Sequence, residues 1–217
     1  MQRRRWPAMP PSILPALPCR MERRLSAGGN HHLHAIRDVM TIETERLRMR
    51  RYTADDADIM MPILSDPVTM KFWPRPFTEE EARTWVLRNL PFYEQDGYGR
   101  YLVTRRSDGA IIGDCGIVHR LRDESSEHDL GYIIHHPYQG NGYATEGARA
   151  LLRHAFQDRT LPHVSANMAH DNEPSRHVAE KIGMRLVREF FNERNRGIRT
   201  FLFTIERGEW SRAQAIG

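Results

Sequence analysis

The chain holds 217 residues, 40% of them hydrophobic and 28% charged, with a formal net charge of +4. That composition supports one buried core plus an appendage, leaves wholesale disorder unsupported, and offers no run of about 18 apolar residues to span a bilayer. The two cysteines, Cys19 and Cys115, stand far apart and outside any C-x-x-C pattern, which disfavours a disulfide framework or a cysteine zinc site and fits a reducing, cytoplasmic compartment.

The positive charge is unevenly placed. Residues 1–37 carry seven arginines against one acid, Glu22, a net +6, so the +4 total leaves residues 38–217 at −2. A broad nucleic-acid surface therefore has no compositional support in the main body. Residues 1–39 are rich in Pro and Arg without lasting periodicity, and read as a disordered basic extension or an over-long start, with the domain spanning 40–208. The extension is Arg-rich like an organelle transit peptide, but its prolines oppose an amphipathic helix. Pro10, Pro11, Pro15 and Pro18 also break up the one apolar stretch a secretory signal needs. His31, His32 and His34 could hold a metal adventitiously, although a solvated tract is the plainer reading.

From Thr41 onward the punctuation is regular. Leu47 and Met49 alternate with arginines, as in a strand with one wet face. Thr53 opens a helix in the acid-rich stretch ADDADIMMPILSD, and Thr78-Glu79-Glu80-Glu81 starts a second with a capping box, running through Trp85 and Leu87 until Pro91 bends or ends it. YLVTRR and AIIGDCGIVHR read as strands joined at Ser107-Asp108-Gly109, and HDLGYIIHH as a third. Ala144, Ala148, Leu151, Leu152, Ala155 and Phe156 line one face of a helix. HVSANMA is a strand, Glu173–Ile182 a short helix ended by Gly183, and MRLVREFFN with IRTFLFTIER a closing hairpin across Arg194–Gly197. Residues 209–217 read as a frayed end. The order β-α-α-β-β-β-α-β-α-β-β makes an α+β domain with one central sheet and helices on both faces.

The stretch GYIIHHPYQGNGYATEGARALLRHAF is the most informative. A strand ends at His135 and a helix begins around Tyr143 to Thr145, with Gln139-Gly140-Asn141-Gly142-Tyr143-Ala144 between. Gly140 and Gly142 permit positive φ and close approach, Ala144 adds little bulk, and the amides opening a helix lack partners within it. Such a unit can cradle a phosphate. It is neither a Walker loop nor G-x-G-x-x-G, and a plain structural turn explains it equally when taken alone.

Taken with its surroundings, Gln139-x-x-Gly142-x-Ala144 resembles the Q/R-x-x-G-x-G/A signature of the GCN5-related N-acetyltransferases (GNAT), which bind the pyrophosphate of acetyl-coenzyme A there. Asn172-Glu173-Pro174-Ser175 with Glu180-Lys181-Ile182-Gly183-Met184 is similar to the family's N-x-x-S…E-K-x-G-F segment, Met184 standing where Phe is usual. The opening Thr44-Glu45-Arg46-Leu47-Arg48-Met49-Arg50 and Asp55-Asp56-Ala57 resemble the subgroup of ribosomal-protein N-terminal alanine and serine acetyltransferases. The likeness covers about Thr41 to Glu206 and implies a single mixed, mostly antiparallel sheet splayed in the middle. It implies pantetheine beside Ile133, Ile134 and His135, paired through main-chain groups. Pyrophosphate falls to the turn of Gln139, Gly140, Asn141, Gly142, Tyr143, Ala144 and Thr145. Asn172 then lies near the acetyl or pantetheine end and Ser175 near the sulfur. Asn172 can equally be a helix cap, and Ser175 an ordinary first-turn residue. Glu146 reads as a dipole or packing residue.

Acyl transfer from a thioester needs a neutral amine, a polarised carbonyl and a proton for the leaving thiolate. An α-amino group with pKa near 8 costs only about 1.4 kcal/mol to deprotonate at neutral pH, a lysine about 4.6 kcal/mol. Asp129, then Glu127 and His119, are the candidate bases, Asp129 first because it stands where the subgroup has an acid; each is otherwise a strand-face charge. Ser175 is the candidate proton donor, with Tyr132 and Tyr143 as fallbacks. No metal site is expected, because adjacent His135 and His136 on a strand point oppositely. Trp73-Pro74-Arg75-Pro76-Phe77 and the hairpin around Arg194–Arg199 would border the acceptor, although Trp73 and Phe77 can equally anchor the core. The expected activity is acetyl transfer from acetyl-CoA to a protein or peptide N-terminal amine. A small amine (polyamine, amino acid or aminoglycoside) and a non-catalytic acyl-CoA-binding module are the alternatives, and a homodimer stays open.

Overall fold

A computed structural model describes residues 41–122, 125–193 and 197–216. The extension 1–39, and most of the connection expected at 194–197, lie outside the described residues. Eight strands form one sheet in the order β1-β2-β3-β4-β5-β6-β8-β7. In chain order the strands are β1 (Thr41–Glu43), β2 (Leu47–Arg51), β3 (Arg100–Arg105), β4 (Ile111–Arg122), β5 (Ser125–Ile134), β6 (His163–Ala169), β7 (Arg185–Asn192) and β8 (Ile198–Glu206). The helices are α1 (Asp56–Leu64), α2 (Glu79–Leu87), α3 (Leu90–Gln95), α4 (Tyr143–Arg153), α5 (Glu173–Lys181) and α6 (Arg207–Ile216). The expected α+β class with a mostly antiparallel sheet is the observed one. Among the described residues, no helix is long and apolar enough to cross a membrane.

Period-two alternation sends side chains to two cores. Tyr101 and Val103 join Leu47, Met49 and the apolar face of α4, whereas Leu102 joins Tyr52, Met60 and Trp85 under α1 and α2. Helices therefore cover both faces. On the α4 side the approach is close, since a Cβ added to Gly147 would lie 3.5 Å from both Cys115 Sγ and Met49 Sδ. Cys115 is 1% exposed, and burial pushes its thiol up to about 12.

The capping box of α2 forms as expected: Glu81 N–H donates to Thr78 Oγ1 at 3.3 Å, and Thr78 N–H to Glu81 Oε2 at 2.9 Å. Pro91 sits in the first turn of a separate helix, α3, because a missing N–H is tolerated there. Two expectations change. The acids of residues 55–58 do more than complement a dipole: Asp56, 1% exposed, accepts a two-pronged pair from Arg50 at 2.7 Å and Thr53 N–H at 2.7 Å. Residues 209–217, expected to fray, instead belong mostly to α6, because Trp210 finds an apolar partner in Phe156, with ring centroids 5.5 Å apart.

The α1/α2 side of the sheet encloses an ion pair that hydrophobic patterning conceals. Asp114, fully buried, accepts from Arg100 Nε at 2.7 Å and from a second Arg100 nitrogen, from Tyr52 Oη at 2.9 Å, and from Trp85 Nε1 at 2.8 Å. Four donors on one carboxylate compensate its desolvation and knit β3, β4 and α2 to the segment after β2. Removing Asp114 strands the Arg100 charge, so Asp114→Ala is expected to cost about 3–5 kcal/mol of unfolding free energy, read from urea midpoints with an unchanged slope.

At the opposite end of the sheet, three imidazoles line up across β4, β5 and β6. His119 stacks on His128 at 5.5 Å, and His163 follows at 5.5 Å, with Asp96 beside His119 and Glu127 beside His163. Tyr98 Oη meets His128 Nδ1 at 2.8 Å. Burial, then His163 and His119, holds the His128 pKa below its ordinary 6.5. A depressed basic pKa favours the fold above the unfolded value, and that stability is lost as pH falls through the folded one. Thermal midpoints are expected to drop between pH 7.5 and 5.5, with a shallower drop in His128→Gln; an equal drop removes His128 as the cause.

Candidate active site

The strands part where the chain turns parallel. β5 pairs with β6 at one position, Asp129 with Ser165, while β6 continues to pair with β8 along its whole length. Past Asp129, residues 130–134 of β5 diverge from β6 and leave a fork in the sheet. The expected splay is therefore present, with its vertex at Asp129.

Beyond the fork the chain makes a 3-10 turn at His136–Tyr138 and then the glycine turn. Gly140 and Gly142 have φ of 77° and 79°, and Gly142 caps α4 in the left-handed region. The turn is stapled by its own side chains: Gln139 Nε2 donates to Ile134 O at 2.8 Å, and Asn141 Nδ2 to Gln139 O at 3.0 Å and Tyr138 O at 3.1 Å. The first intrahelical bond is Glu146 N–H to Gly142 O at 3.0 Å. The amides of Tyr143, Ala144 and Thr145 therefore precede it, with no carbonyl of the helix to serve.

The helix head is tied to the start of the domain. Glu146 accepts from Thr44 Oγ1, from Arg46 N–H at 2.9 Å and from Arg46 Nε at 2.6 Å, while Arg46 Nη1 donates to Asn141 O at 3.0 Å. Burial opposes the Glu146 charge, but the hydrogen bonds from Thr44 and Arg46 outweigh it and hold its pKa below the ordinary carboxylate value. Glu146 is thus an anchor, as its position in the first helical turn suggested.

A cavity of about 330 Å³ fills the fork. Of the residues expected to bind the coenzyme, Ile133, Ile134, Gln139, Gly140, Gly142, Tyr143, Ala144, Thr145, Asn172 and Ser175 line it. Asn141 and His135 do not: the Asn141 side chain is spent on the turn, and the His135 ring lies 6.1 Å from that of Tyr138. Asn172 is also the N-cap of α5, its Oδ1 accepting Ser175 N–H at 3.2 Å, which is the helix-cap role that was its alternative. Tyr132 reaches across the fork and donates from Oη to Ser175 O at 3.2 Å, and burial raises its pKa well above the ordinary phenol value.

None of the three candidate bases lines the cavity. Asp129 sits at the fork vertex, four residues and roughly 13 Å along the strand from Ile133. Its carboxylate is held by Arg120 at 3.1 Å and Asn167 Nδ2 at 2.9 Å. Glu127 accepts from Ser165 Oγ at 2.6 Å, and His119 faces Asp96. Asp129 thus has the contacts of a strand-face charge, at a point where the strands are still paired. Three residues that were not expected at the site, Lys71, His177 and Lys181, also line the cavity, and among the described residues no Asp or Glu does. Lys71 was out of reach of sequence pattern because it comes from the α1–α2 loop, together with Trp73. Trp73 lines the cavity and packs edge-on against Trp85 at 5.4 Å, as its core-anchoring reading expected.

The acetyltransferase (GNAT) domain family matches residues 46–185. The chain belongs to that family. N-acetyltransferase YnaD of Bacillus subtilis, itself uncharacterized, is 32% identical over 147 residues, covering 67% of this chain and 83% of that one. A GNAT acetyltransferase structure from Bacillus anthracis is 26% identical with TM-score 0.67, covering 78% and 99%. RimL, a ribosomal L7/L12 α-N-protein acetyltransferase solved with coenzyme A, shares the fold at 17% identity and TM-score 0.65, covering 77% and 98%. The protein is an N-acetyltransferase that uses acetyl-CoA as cosubstrate. Its residues fit that molecule: free amides at a helix head, left-handed glycines and an acid-free wall suit a diphosphate, and the unpaired length of β5 offers main-chain groups to an extended amide chain.

Gly142→Val is expected to weaken coenzyme A binding about tenfold or more in calorimetry. The cause is not crowding, since a Cβ there would stand 3.5 Å from Arg46 Nη2; it is the cost of φ near 79° for a β-branched residue. Gly142→Asn, which tolerates that region, is expected to bind better than Val.

Proposed function

We propose that the acceptor is the α-amino group of a protein or peptide. The observation that supports this reading is the acid-free cavity: its lining includes Lys71, His177 and Lys181 and neither Asp nor Glu. A wall without a carboxylate gives a polycation no counter-charge and gives a lysine-type amine no strong base. An α-amine near pKa 8 needs neither, being about one-tenth neutral at pH 7.

In this reading the coenzyme supplies the acetyl group as a thioester already activated toward amines. The chain's own residues bind and orient. Amides of Tyr143, Ala144 and Thr145, held by the Gly140–Gly142 turn, receive the diphosphate, with Lys71 and Lys181 adding positive charge. Main-chain groups of Ile133 and Ile134 align the pantetheine arm, the Ile134 carbonyl already being engaged by Gln139. Ser175 stands at the head of α5 with its backbone fixed on both sides, by Asn172 and by Tyr132. Its hydroxyl is then available to hydrogen-bond the departing sulfur, and Tyr132, held as a neutral phenol, supports that position.

The test is thiol release from acetyl-CoA with peptides of free N-terminus, the same peptides N-terminally blocked, and a set of polyamines and aminoglycosides. The expected result is turnover with free N-termini alone, rising with pH and levelling near pH 8. A best substrate among the polycations, or a rate still climbing through pH 10, overturns the acceptor assignment. Ser175→Ala is expected to lower kcat about tenfold with coenzyme A affinity unchanged; equal kcat removes Ser175 from the chemistry.

A further inference from the structure

Beside the cavity, at the point where β5 ends, two imidazoles and a carboxylate converge. Asp66, His135 and His136 each offer one ligand atom, and these atoms all lie within 4.8 Å of one another. Asp66 Oδ2 and His136 Nδ1 are 3.1 Å apart. That contact is a hydrogen bond in this structure, and two ligands at ~2.0 Å from one tetrahedral ion stand ~3.3 Å apart, so an ion can replace the shared proton with little movement of either group. The rings of His135 and His136 cross at 85° with centroids 5.6 Å apart, approaching the carboxylate from different directions instead of stacking.

Adjacent residues of a regular strand cannot converge in this way, which is why none was expected here. They do so because β5 stops at Ile134 and the 3-10 turn begins at His136, rotating the second ring back toward the first. The carboxylate is oriented from behind: Thr69 donates to Asp66 Oδ2 from its hydroxyl and from its backbone N–H at 2.8 Å, and Thr69 Oγ1 accepts from His136 N–H at 3.0 Å. Oδ1 has only a long contact, 3.4 Å, from Val68 N–H. An oriented carboxylate with an under-used oxygen is what supporting hydrogen bonds provide at a metal centre.

We propose that Asp66, His135 and His136 form a binding site for a divalent transition-metal ion of the zinc class, with water completing its coordination. Two imidazoles and one carboxylate favour such ions over magnesium or calcium, which prefer oxygen. The ion would join the α1–α2 loop, whose Thr69 and Trp73 line the cavity, to the strand end from which the diphosphate turn starts. Its role is to brace the mouth of the coenzyme cavity, and no step of acetyl transfer passes through it, so the proposal stands apart from the acceptor assignment.

The experiment titrates zinc chloride into the full chain after chelator treatment, by calorimetry. His31, His32 and His34 are replaced by alanine throughout, so that the imidazoles of the extension do not compete. The expected result is a one-to-one isotherm, a higher melting temperature with zinc, and no response to magnesium. Asp66→Asn, which keeps an acceptor for Thr69 but loses the charge, and His136→Gln are each expected to weaken zinc binding 10–100-fold. Melting temperatures without zinc show that both variants remain folded. Absence of zinc binding, or affinity unchanged in both variants, overturns the site.

Discussion

The active site depends on one missing stretch of β-ladder. β5 and β6 run parallel and pair at Asp129–Ser165, then separate while each keeps its other neighbour. The flanking ladders are long, from Gly113–Ile134 to Arg122–Ser125 on one side and from His163–Glu206 to Ala169–Thr200 on the other. Those ladders hold the two half-sheets stiffly enough for the fork to stay open. An unpaired strand edge in the interior is ordinarily a liability. Here the open edge offers main-chain groups that suit the peptide-like amides of the coenzyme's arm.

Two sets of polar contacts keep the fork in shape. On the α1/α2 side, Asp114 gathers Arg100, Tyr52 and Trp85, so the sheet cannot shift against α2 without exposing a buried charge. On the α4 side, Glu146 gathers Thr44 and Arg46, and Arg46 reaches on to the carbonyl of Asn141 and lies over the Tyr143 ring at 4.8 Å. The segment before β2 thereby holds the glycine turn in place from outside. The likeness of Thr44-Glu45-Arg46-Leu47 to a family motif has a physical cause in this clamp.

Much of the architecture was legible because it rests on local rules. Alternation marked β2, the Ser107-Asp108-Gly109 turn marked the β3–β4 connection, the Thr78–Glu81 box marked α2, and a single apolar face marked α4; each signal is complete within a few residues. The glycine turn was legible for the same reason, as was Asn172, whose capping bond spans three residues. What escaped depends on distant partners. Asp114 looks like any polar residue between two glycine-flanked apolar runs until Arg100 is placed beside it. Asp129 looked like a base because the position of the fork vertex is a property of two strands 38 residues apart. α6 was missed because Trp210 needs Phe156 to give it an inward face, and the convergence of His135 and His136 because one 3-10 turn overrides strand alternation.

Cys115 has a chemical consequence of its own. An enzyme that handles thioesters risks trans-thioesterification onto its own sulfur, which would trap the acyl group on the protein as a dead-end adduct. Cys115, the free cysteine among the described residues, lies beneath Gly147 of α4, the helix whose head faces the cavity. Because burial keeps that thiol protonated far above neutral pH, it has almost no thiolate with which to attack. The apolar packing that seats α4 on the sheet thus also protects the enzyme against acylating itself.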